Sequence, residues 1–232
     1  MYQRVLLKLS GEALSAPGET LSFDVIEKTA EQIAQAARLN VQIGVMVGGG
    51  NIWRGRSSGE MDRSRADNMG MLATAINALA MQDALLRIGT ECTVLSAVDM
   101  QKFCDTFSAR SAHALLSKGH ILLFACGSGH PYFSTDTAAA LRAAEIGADV
   151  LLLAKNVDAI YSADPKLDPS AVRYERLSYK EVIEQDLRAT DLTAITLCRE
   201  QNIPILAFGL KEQDSIVRAV KGERIGTLIT DM

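Results

Sequence analysis

The sequence has 232 residues, of which 48% are hydrophobic and 22% charged, with a formal net charge of −4. This composition is typical of a soluble globular protein with one large domain or two small ones, and its mild acidity argues against a dedicated binder of nucleic acid or anionic membranes. We find no apolar run long enough to span a membrane and no signal-peptide cleavage pattern. The four cysteines form neither a C-x-x-C pair nor a zinc-like spacing with histidine, which indicates reduced thiols in a cytoplasmic protein.

Short apolar runs alternate with helical patterns along the chain. The runs predict buried strands over 5–10, 41–47, 92–96, 120–126, 149–154 and 203–208. Helices are predicted over 24–38, 67–87 and 136–147, the last with Asp136 as its N-cap and Gly147 just past its end. The core stripe of the second helix is predicted to comprise Met69, Leu72, Ile76, Leu79 and Leu86. This alternation predicts an α/β fold with a mostly parallel sheet covered on both faces, whose ligands bind beyond the carboxyl ends of the strands.

Three glycines, Gly48 to Gly50, follow the predicted strand 41–47 in the stretch VMVGGGNIWRG. Backbone N–H groups without side chains can cradle a phosphate, and Arg54 could add a charge-assisted hydrogen bond. The alternative is a tight turn without a ligand. Neither a P-loop nor a dinucleotide G-x-G-x-x-G pattern occurs, so a nucleotide site would lie outside the two commonest motifs.

Three further strand ends carry polar residues. Lys8 interrupts an apolar strand, which requires a partner or a cleft unless the strand lies at an edge and the lysine reaches solvent. The Ser-Thr-Asp cluster at 134–136 opens a helix and would either hold an anion or simply cap the helix. Residues 155–158 follow another strand and are a further candidate for ligand binding. The alternative is that the YSADP stretch after them is only a turn with Asp-Pro chemistry.

Five stretches together resemble bacterial uridylate kinases, which have the amino-acid kinase fold. They read LLKLSGEAL, GVMVGGGNIWRG, ADNMGMLATAINALAMQDAL, GSGHPYFSTDTAAALRAAEIGADVLLLAKNVDAIYSADP and DLTAITLCREQNIPILAFGL. The resemblance runs from about residue 4 to the C-terminal GTLIT. It implies a three-layer αβα sandwich forming a single domain over 1–232, with the acceptor site mainly in the N-terminal part and the ATP site mainly in the C-terminal part. The implied reaction converts UMP and MgATP into UDP and ADP.

The resemblance also implies a role for each matching residue. Lys8, Asp136 and Arg54 would form the catalytic set, with Lys8 on the transferring phosphoryl group and Asp136 as an organiser rather than a strong base. The implied ATP-binding residues are Lys8, Leu9, Ser10, Gly11, Gly50, Arg54, Asn156, Tyr161 and Asp164. The implied UMP-binding residues are Gly49, Asp67, Ser128, Gly129, His130, Pro131, Tyr132, Phe133, Ser134 and Thr135. The glycine run would then lie between two phosphorylated ligands, where any Cβ would intrude.

The implied cofactor is Mg²⁺ carried by the ATP phosphates, with no direct protein ligand. The implied assembly is a homohexamer, a trimer of dimers, with neither a nucleic-acid nor a membrane partner. The chain departs from the family pattern in the loop 15–23, where Gly18 is the single glycine, and this predicts weak or absent activation by GTP. His130 stands where Asn is usual and Ala159 where Gly is common, and the order Lys155-Asn156 leaves open which of the two faces ATP.

Two other functions are weighed against this one. Another enzyme of the same fold would act on a carboxylate, a carbamate or a different phosphate acceptor, which Asp67 and the loop 128–136 argue against. A non-catalytic nucleotide-binding storage or regulatory relative would be expected to lack Lys8 or Asp136. His113 and His120 are predicted to have no catalytic role.

Overall fold

The computed structural model describes residues 1–54, 59–187 and 190–231. Its strands are β1 Arg4–Leu9, β2 Gln42–Val47, β3 Cys92–Ser96, β4 Asp105–Thr106, β5 Ile121–Ala125, β6 Val150–Lys155, β7 Ile160–Tyr161, β8 Arg173–Tyr174, β9 Arg176–Leu177, β10 Ile205–Gly209 and β11 Thr227–Ile229. Within the described residues, nine of them form one sheet in the order β4-β3-β5-β2-β1-β6-β10-β11-β9. Every pairing in that sheet is parallel except β10 with β11, while β7 and β8 form a separate antiparallel pair.

The helices cover both faces of the sheet. They are α1 Phe23–Ala37, α2 Arg63–Arg87, α3 Ala109–Ser117, α4 Thr135–Ile146, α5 Tyr179–Glu184, α6 Leu192–Glu200 and α7 Ser215–Val220, and a 3-10 helix spans Gly11–Leu14. One buried cluster packs α1, α2 and α7 on the first face of the sheet. A second cluster packs α3, α4, α5 and α6 on the other face. Alternate residues of β1 divide between the two, with Leu7 in the first cluster and Leu6 in the second. The architecture is therefore a three-layer αβα sandwich, as predicted.

The six predicted strands and three predicted helices are all confirmed. Strand bounds differ from the prediction by at most two residues at either end. Helix α2 begins earlier than predicted because the Asp62 carboxylate caps it and accepts from the N–H of Arg65. The short strands β4, β7, β8, β9 and β11 were not predicted, since two or three residues carry too little periodicity.

Two predictions about the helices are wrong. The N-cap of α4 is Ser134, whose hydroxyl accepts from the N–H groups of Asp136 and Thr137, so Asp136 lies inside the first turn. The predicted core stripe of α2 includes four exposed residues: Met69, Leu72, Ile76 and Leu86. The buried face of α2 is instead rich in alanine, with Ala78 and Met81 fully buried, because small side chains let the helix lie close to the sheet.

Helix α2, with 25 residues, is both long and apolar. Among the described residues it is the one helix long and apolar enough to cross a membrane by length and composition alone. It packs on β2, β3 and β5 and against α1, and 44% of its most apolar window is buried. This packing makes α2 a core helix of the αβα sandwich, with an exposed apolar stripe of Met69, Leu72 and Ile76 on its other side.

Candidate functional site

The carboxyl ends of β1, β2, β5 and β6 meet at one edge of the sheet, where three cavities open. The large cleft, of about 370 Å³, is lined by residues of α2, of the loop after β5 and of the segment that begins with the three glycines 48–50, here called the glycine turn. The lysine cleft, of about 230 Å³, is lined by Lys8, Asp136 and the segment 153–157. The outer cleft, of about 360 Å³, lies on the far side of Asn156 and reaches Lys166 and Lys211. Parallel strands place these loops together, which is the arrangement that the sequence predicted.

Lys8 is held by an ion pair at the centre of the lysine cleft. Its Nζ lies 2.7 Å from Oδ1 of Asp136, and the two side chains are only 16% and 21% exposed. The other oxygen, Oδ2, accepts a 2.7 Å hydrogen bond from the hydroxyl of Thr190. Because β1 lies between β2 and β6, the alternative that Lys8 is an edge-strand residue reaching solvent is wrong.

Lys155 adds a second cation beside this pair. Burial by itself raises the pKa of Asp136, but the charge and hydrogen bond of Lys8, the hydroxyl of Thr190 and the charge of Lys155 together hold it below its ordinary value. Burial lowers the pKa of Lys155; the charge of Asp136 opposes this, and that of Lys8 adds to it. Lys155 and Asn156 both line the lysine cleft, and Asn156 also lines the outer cleft. Two lysines against one carboxylate suit an anionic ligand.

Close packing against other parts of the chain requires glycine at two of the three positions of the glycine turn. A Cβ at Gly49 would lie 2.8 Å from the carbonyl oxygen of Gly70 in α2, and one at Gly48 would lie 3.0 Å from the backbone nitrogen of Gly11. At Gly50, in contrast, the nearest atom to a Cβ would be Nε of Arg54 at 3.7 Å. The expectation that all three glycines make room for ligands is therefore corrected: protein backbone fills the space at Gly48 and Gly49, and only Gly50 is open.

Two asparagines that sequence reasoning missed hold the glycine turn in place. The side-chain amide of Asn77 donates to the carbonyl of Gly48 at 2.6 Å and to Oδ1 of Asn51 at 2.8 Å. Asn51 in turn donates to the carbonyl of Thr20. The available signal was a polar Asn77 in the middle of an apolar helix, where it is fully buried. Such a residue requires partners, and here they tie the turn to α2 and to the loop 15–23.

Asp67 lies at the wall of the large cleft. Its Oδ2 accepts from Nε of Arg63 and from the backbone N–H of Tyr132, both at 2.8 Å. The Arg63 guanidinium also lies 5.7 Å from the centre of the Tyr132 ring. Trp53 lines the same cleft and donates from its indole N–H to the carbonyl of Ala66. Aromatic rings, a carboxylate and bare backbone together suit a ligand with a flat ring, hydroxyl groups and an anionic end.

The structure brings most of the implied UMP-binding residues to the large cleft. They are Gly49, Asp67, Ser128, His130, Phe133, Ser134 and Thr135. Gly129 packs instead on Ala97, and Tyr132 is 65% exposed. Neither they nor Pro131 is part of the described lining of this cleft. The Ser134 hydroxyl is already engaged, because it caps α4 and donates to the Asp191 carboxylate.

Arg54 lies between the large cleft and the lysine cleft. It lines the large cleft, pairs with the Glu12 carboxylate and donates from Nε to the carbonyl of Gly50 at 3.2 Å. Glu12 and Ser10 line the lysine cleft. Arg54 therefore lies where ligands in the two clefts would approach each other, beside Gly50.

The remaining implied ATP-binding residues are more widely spread. Leu9 is fully buried, and Gly11 is packed against Gly48 and Gly50. The Tyr161 hydroxyl donates to Asp158, which lines the outer cleft. Asp164 accepts from the N–H of Lys166 and so shapes the turn beside that cleft.

The histidines and acidic groups bear on metal binding and catalysis. His113 contacts the carbonyl of Glu145 and His120 the hydroxyl of Thr93, and neither lines the three clefts at this edge. In the part of the chain that the structure describes, no three His, Cys, Asp or Glu side chains are grouped so as to hold a metal ion. Lysine, arginine and backbone N–H groups at this edge provide positive charge that suits an anionic ligand.

Known proteins share this fold. The model of the amino acid kinase family matches residues 3–208. The UMP kinase of Ureaplasma parvum is 37% identical with a TM-score of 0.94, and the alignment covers 100% of both chains. The UMP kinase of Bacillus anthracis is 35% identical with a TM-score of 0.96, over 99% of this chain and 96% of that one. The uridylate kinase of Archaeoglobus fulgidus is 31% identical with a TM-score of 0.75, over 97% and 99%. The chain therefore belongs to the amino acid kinase family, and its full-length likeness groups it with the UMP kinases of that family.

Proposed function

We propose that this protein transfers the γ-phosphoryl group of ATP to UMP, giving UDP and ADP for pyrimidine nucleotide synthesis. The observation that carries the proposal is the adjacency of the large and lysine clefts at one sheet edge, with Gly50 and Arg54 at their border. The large cleft takes UMP, and the lysine cleft takes the ATP phosphates. The two reacting phosphates would then meet beside Lys8.

The large cleft has the groups that a pyrimidine nucleotide needs. Asp67 Oδ2 is occupied by Arg63 and Tyr132, which leaves Oδ1 to accept from the ribose hydroxyls. Trp53 and Phe133 offer flat apolar surface to the base. Ser134 and Thr135, at the N-terminus of α4, also line the cleft, and the partial positive charge of a helix N-terminus favours a phosphate.

The reaction requires positioning and charge neutralisation rather than a strong base. A phosphate monoester has a second pKa of about 6, so the attacking oxygen of UMP is already largely ionised at neutral pH. That oxygen forms a bond to the γ-phosphorus while the bond from the γ-phosphorus to the β,γ-bridging oxygen breaks, and ADP leaves with the electron pair. Lys8 and Lys155 stabilise the negative charge on the transferring group. Asp136, engaged through both oxygens, organises the lysines and takes no proton.

The site fits Mg²⁺ that arrives with ATP. Mg²⁺ prefers several oxygen ligands and is commonly held by phosphates and water. Both oxygens of Asp136 are engaged, and the neighbouring Lys8 and Lys155 are cationic, so these residues suit a metal held mainly by the nucleotide. Bound Mg²⁺ neutralises part of the phosphate charge. The outer cleft, with Asn156 at its border and Tyr161 and Asp164 close by, is assigned to the ATP nucleoside.

The proposed assembly is a homohexamer of single-domain, cytoplasmic chains. Support for self-association comes from the α2 stripe of Met69, Leu72 and Ile76, which are 40%, 56% and 48% exposed. Apolar side chains concentrated on one helix face are typical of an interface. Light scattering tests the assembly, and a stable species near 25 kDa, the mass of one chain, would contradict it.

The function is tested by coupled measurement of ADP release with Mg²⁺ and ATP. UMP, CMP, dTMP and glutamate are supplied separately as acceptors. We expect turnover with UMP that greatly exceeds the others and that stops on addition of EDTA. Preferred turnover of glutamate would identify an enzyme of the same fold with a carboxylate acceptor. Nucleotide binding without turnover of any acceptor would indicate a storage or regulatory relative.

A further inference from the structure

Thr190 contacts the reaction centre although it lies far from the other site residues in the sequence. It immediately precedes Asp191, the N-cap of α6. Its hydroxyl donates to Oδ2 of Asp136 at 2.7 Å across a separation of 54 residues. The resemblance that assigns the other site residues gives Thr190 no role, so the contact comes from the structure alone.

Thr190 belongs to a rigid attachment between α6 and α4. The neighbouring Asp191 carboxylate accepts from the hydroxyls of Ser134 and Thr137, and from the backbone N–H of Ala194. These bonds fix the first turn of α4 relative to the start of α6. Thr190 is thus held at a defined place from which it reaches the carboxylate of Asp136 in the lysine cleft.

The bond from Thr190 decides how the Asp136 carboxylate is turned. Rotation about the last torsion of an aspartate is loosely restrained, because it joins an sp³ to an sp² carbon. Here the Thr190 hydroxyl donates a hydrogen bond to Oδ2, and the Lys8 ammonium forms an ion pair with Oδ1, each at 2.7 Å. With both oxygens engaged, the carboxylate plane is fixed and Oδ1 is directed at the Lys8 ammonium.

We propose that Thr190 is a positioning residue, which fixes the orientation of the Asp136 carboxylate and through it the place of the Lys8 ammonium. The inference rests on the proposed function, because Lys8 is taken to contact the transferring phosphoryl group. The charged groups around Asp136 are Lys8 from β1, Lys155 from β6 and Glu12 from the 3-10 helix, with Asp191 bonded to the same turn of α4. Thr190 contributes a neutral donor among them and so holds the carboxylate without competing for the phosphates.

The test compares two substitutions at the same position. Thr190→Val keeps the shape and removes the hydroxyl, whereas Thr190→Ser keeps the hydroxyl. The matched control is Thr106→Val, since the Thr106 hydroxyl also donates to a carboxylate, that of Asp99 at 2.8 Å, but on the edge strand β4. Neither Thr106 nor Asp99 is part of the described lining of the large, lysine or outer cleft.

We expect Thr190→Val to lower kcat by about tenfold, the usual size for a hydrogen bond to a charged group. The KM for UMP should change by less than about twofold, and Thr190→Ser should recover most of kcat. Loss of a donor to the ionised carboxylate should raise the pKa of Asp136. Thermal midpoints of all variants show whether each is folded.

A second readout does not depend on activity. The pKa of Asp136 is measured by ¹³C NMR on carboxyl-labelled aspartate, with the signal assigned by its loss in Asp136→Asn. It should rise in Thr190→Val and stay unchanged in Thr106→Val. An unchanged pKa, or an unchanged kcat in an active enzyme, overturns the role of Thr190. Absence of UMP phosphorylation by the unsubstituted protein would instead overturn the proposed function, and the NMR titration would still decide the contact.

Discussion

The lysine cleft and the large cleft are adjacent but differently built. In the lysine cleft, Lys8 and Asp136 are mostly buried and bonded to each other, on a central strand and on the first turn of a helix. The large cleft is formed largely by loops and by side chains such as Phe133, which is 55% exposed. Chemistry that depends on charge placement benefits from a fixed frame, whereas recognition of a ligand tolerates adjustable walls. Substitutions in the two clefts should therefore affect different kinetic constants.

The largest effect is expected from Lys8→Ala, which removes the cation at the centre of the lysine cleft. We expect kcat to fall on the order of 100-fold or more, because Lys8 is proposed to stabilise charge that develops mainly in the transition state. UMP binding, measured by calorimetry, should be nearly unchanged. Lys118→Ala, at the exposed end of α3, is the matched control. A kcat within a few-fold of the unsubstituted enzyme, with only the KM for UMP raised, would show that Lys8 serves binding instead.

A substitution in the large cleft should give the opposite kinetic pattern. Asp67→Ala removes the proposed acceptor for the ribose hydroxyls and also releases Arg63 and the N–H of Tyr132. We expect the KM for UMP to rise by about 10- to 100-fold, as for the loss of a hydrogen bond to a charged group, with a smaller change in kcat. Steady-state kinetics at varied UMP and saturating ATP measure this. Asp83→Ala, on the same helix and 65% exposed, controls for the loss of a helical carboxylate. If kcat falls and KM does not, the contrast between the clefts fails.

The glycine turn between the clefts allows a finer comparison. Gly49→Ala places a Cβ against the Gly70 carbonyl and the Ala73 side chain of α2, whereas Gly50→Ala meets nothing closer than 3.7 Å. We expect Gly49→Ala to reduce the free energy of unfolding by about 1–3 kcal/mol, as for overpacking, and Gly50→Ala to leave stability nearly unchanged. Urea unfolding without ligands measures both. Gly50→Ala should instead weaken catalysis, and equal stability losses at the two positions would refute this division of roles.

The smallest effect is expected from GTP. The loop 15–23 is closed by hydrogen bonds between Ala16 and Glu19, and Asn51 bonds it to the glycine turn through Thr20. A loop held in this way, with Pro17 and a single glycine, has little freedom to respond to a second nucleotide. We therefore expect GTP to change the rate by less than about twofold at subsaturating ATP. A several-fold increase in the coupled assay would contradict this prediction, and an altered KM for UMP would link the loop to the large cleft.

Sequence reasoning found candidate site residues where a strand end carried a residue that did not fit its surroundings. Lys8 in an apolar strand and the Ser-Thr-Asp cluster before α4 are such residues, and the structure brings Lys8 and Asp136 together. Thr190 and Asn77 could not be recognised in the same way. Thr190 acts through a contact that exists only once α4 and α6 are packed, and Asn77 was hidden in a helix whose buried face was wrongly predicted.

The glycine run shows a different limit. Three adjacent glycines signal that backbone must approach something closely, but the sequence does not say whether a ligand or the protein occupies the space. The structure assigns two of the three positions to internal packing. The order of Lys155 and Asn156 was equally undecidable, because a single step along a strand end changes the direction of the side chain.

The close approach of Gly11 to Gly48 and Gly50 also has a consequence for motion. A Cβ at Gly11 would lie 2.7 Å from the nitrogen of Gly50, 2.9 Å from the carbonyl oxygen of Gly48 and closer still to Oδ1 of Asn51, so the two backbone segments approach each other where no side chain fits at Gly11. Such a seam cannot act as a hinge, because opening it would expose backbone that nothing else covers. We expect any closure over bound substrates to take place in the flanking loops. Hydrogen–deuterium exchange should accordingly show slow amide exchange along the seam, with or without nucleotide, and ligand-dependent protection in the loop after β5.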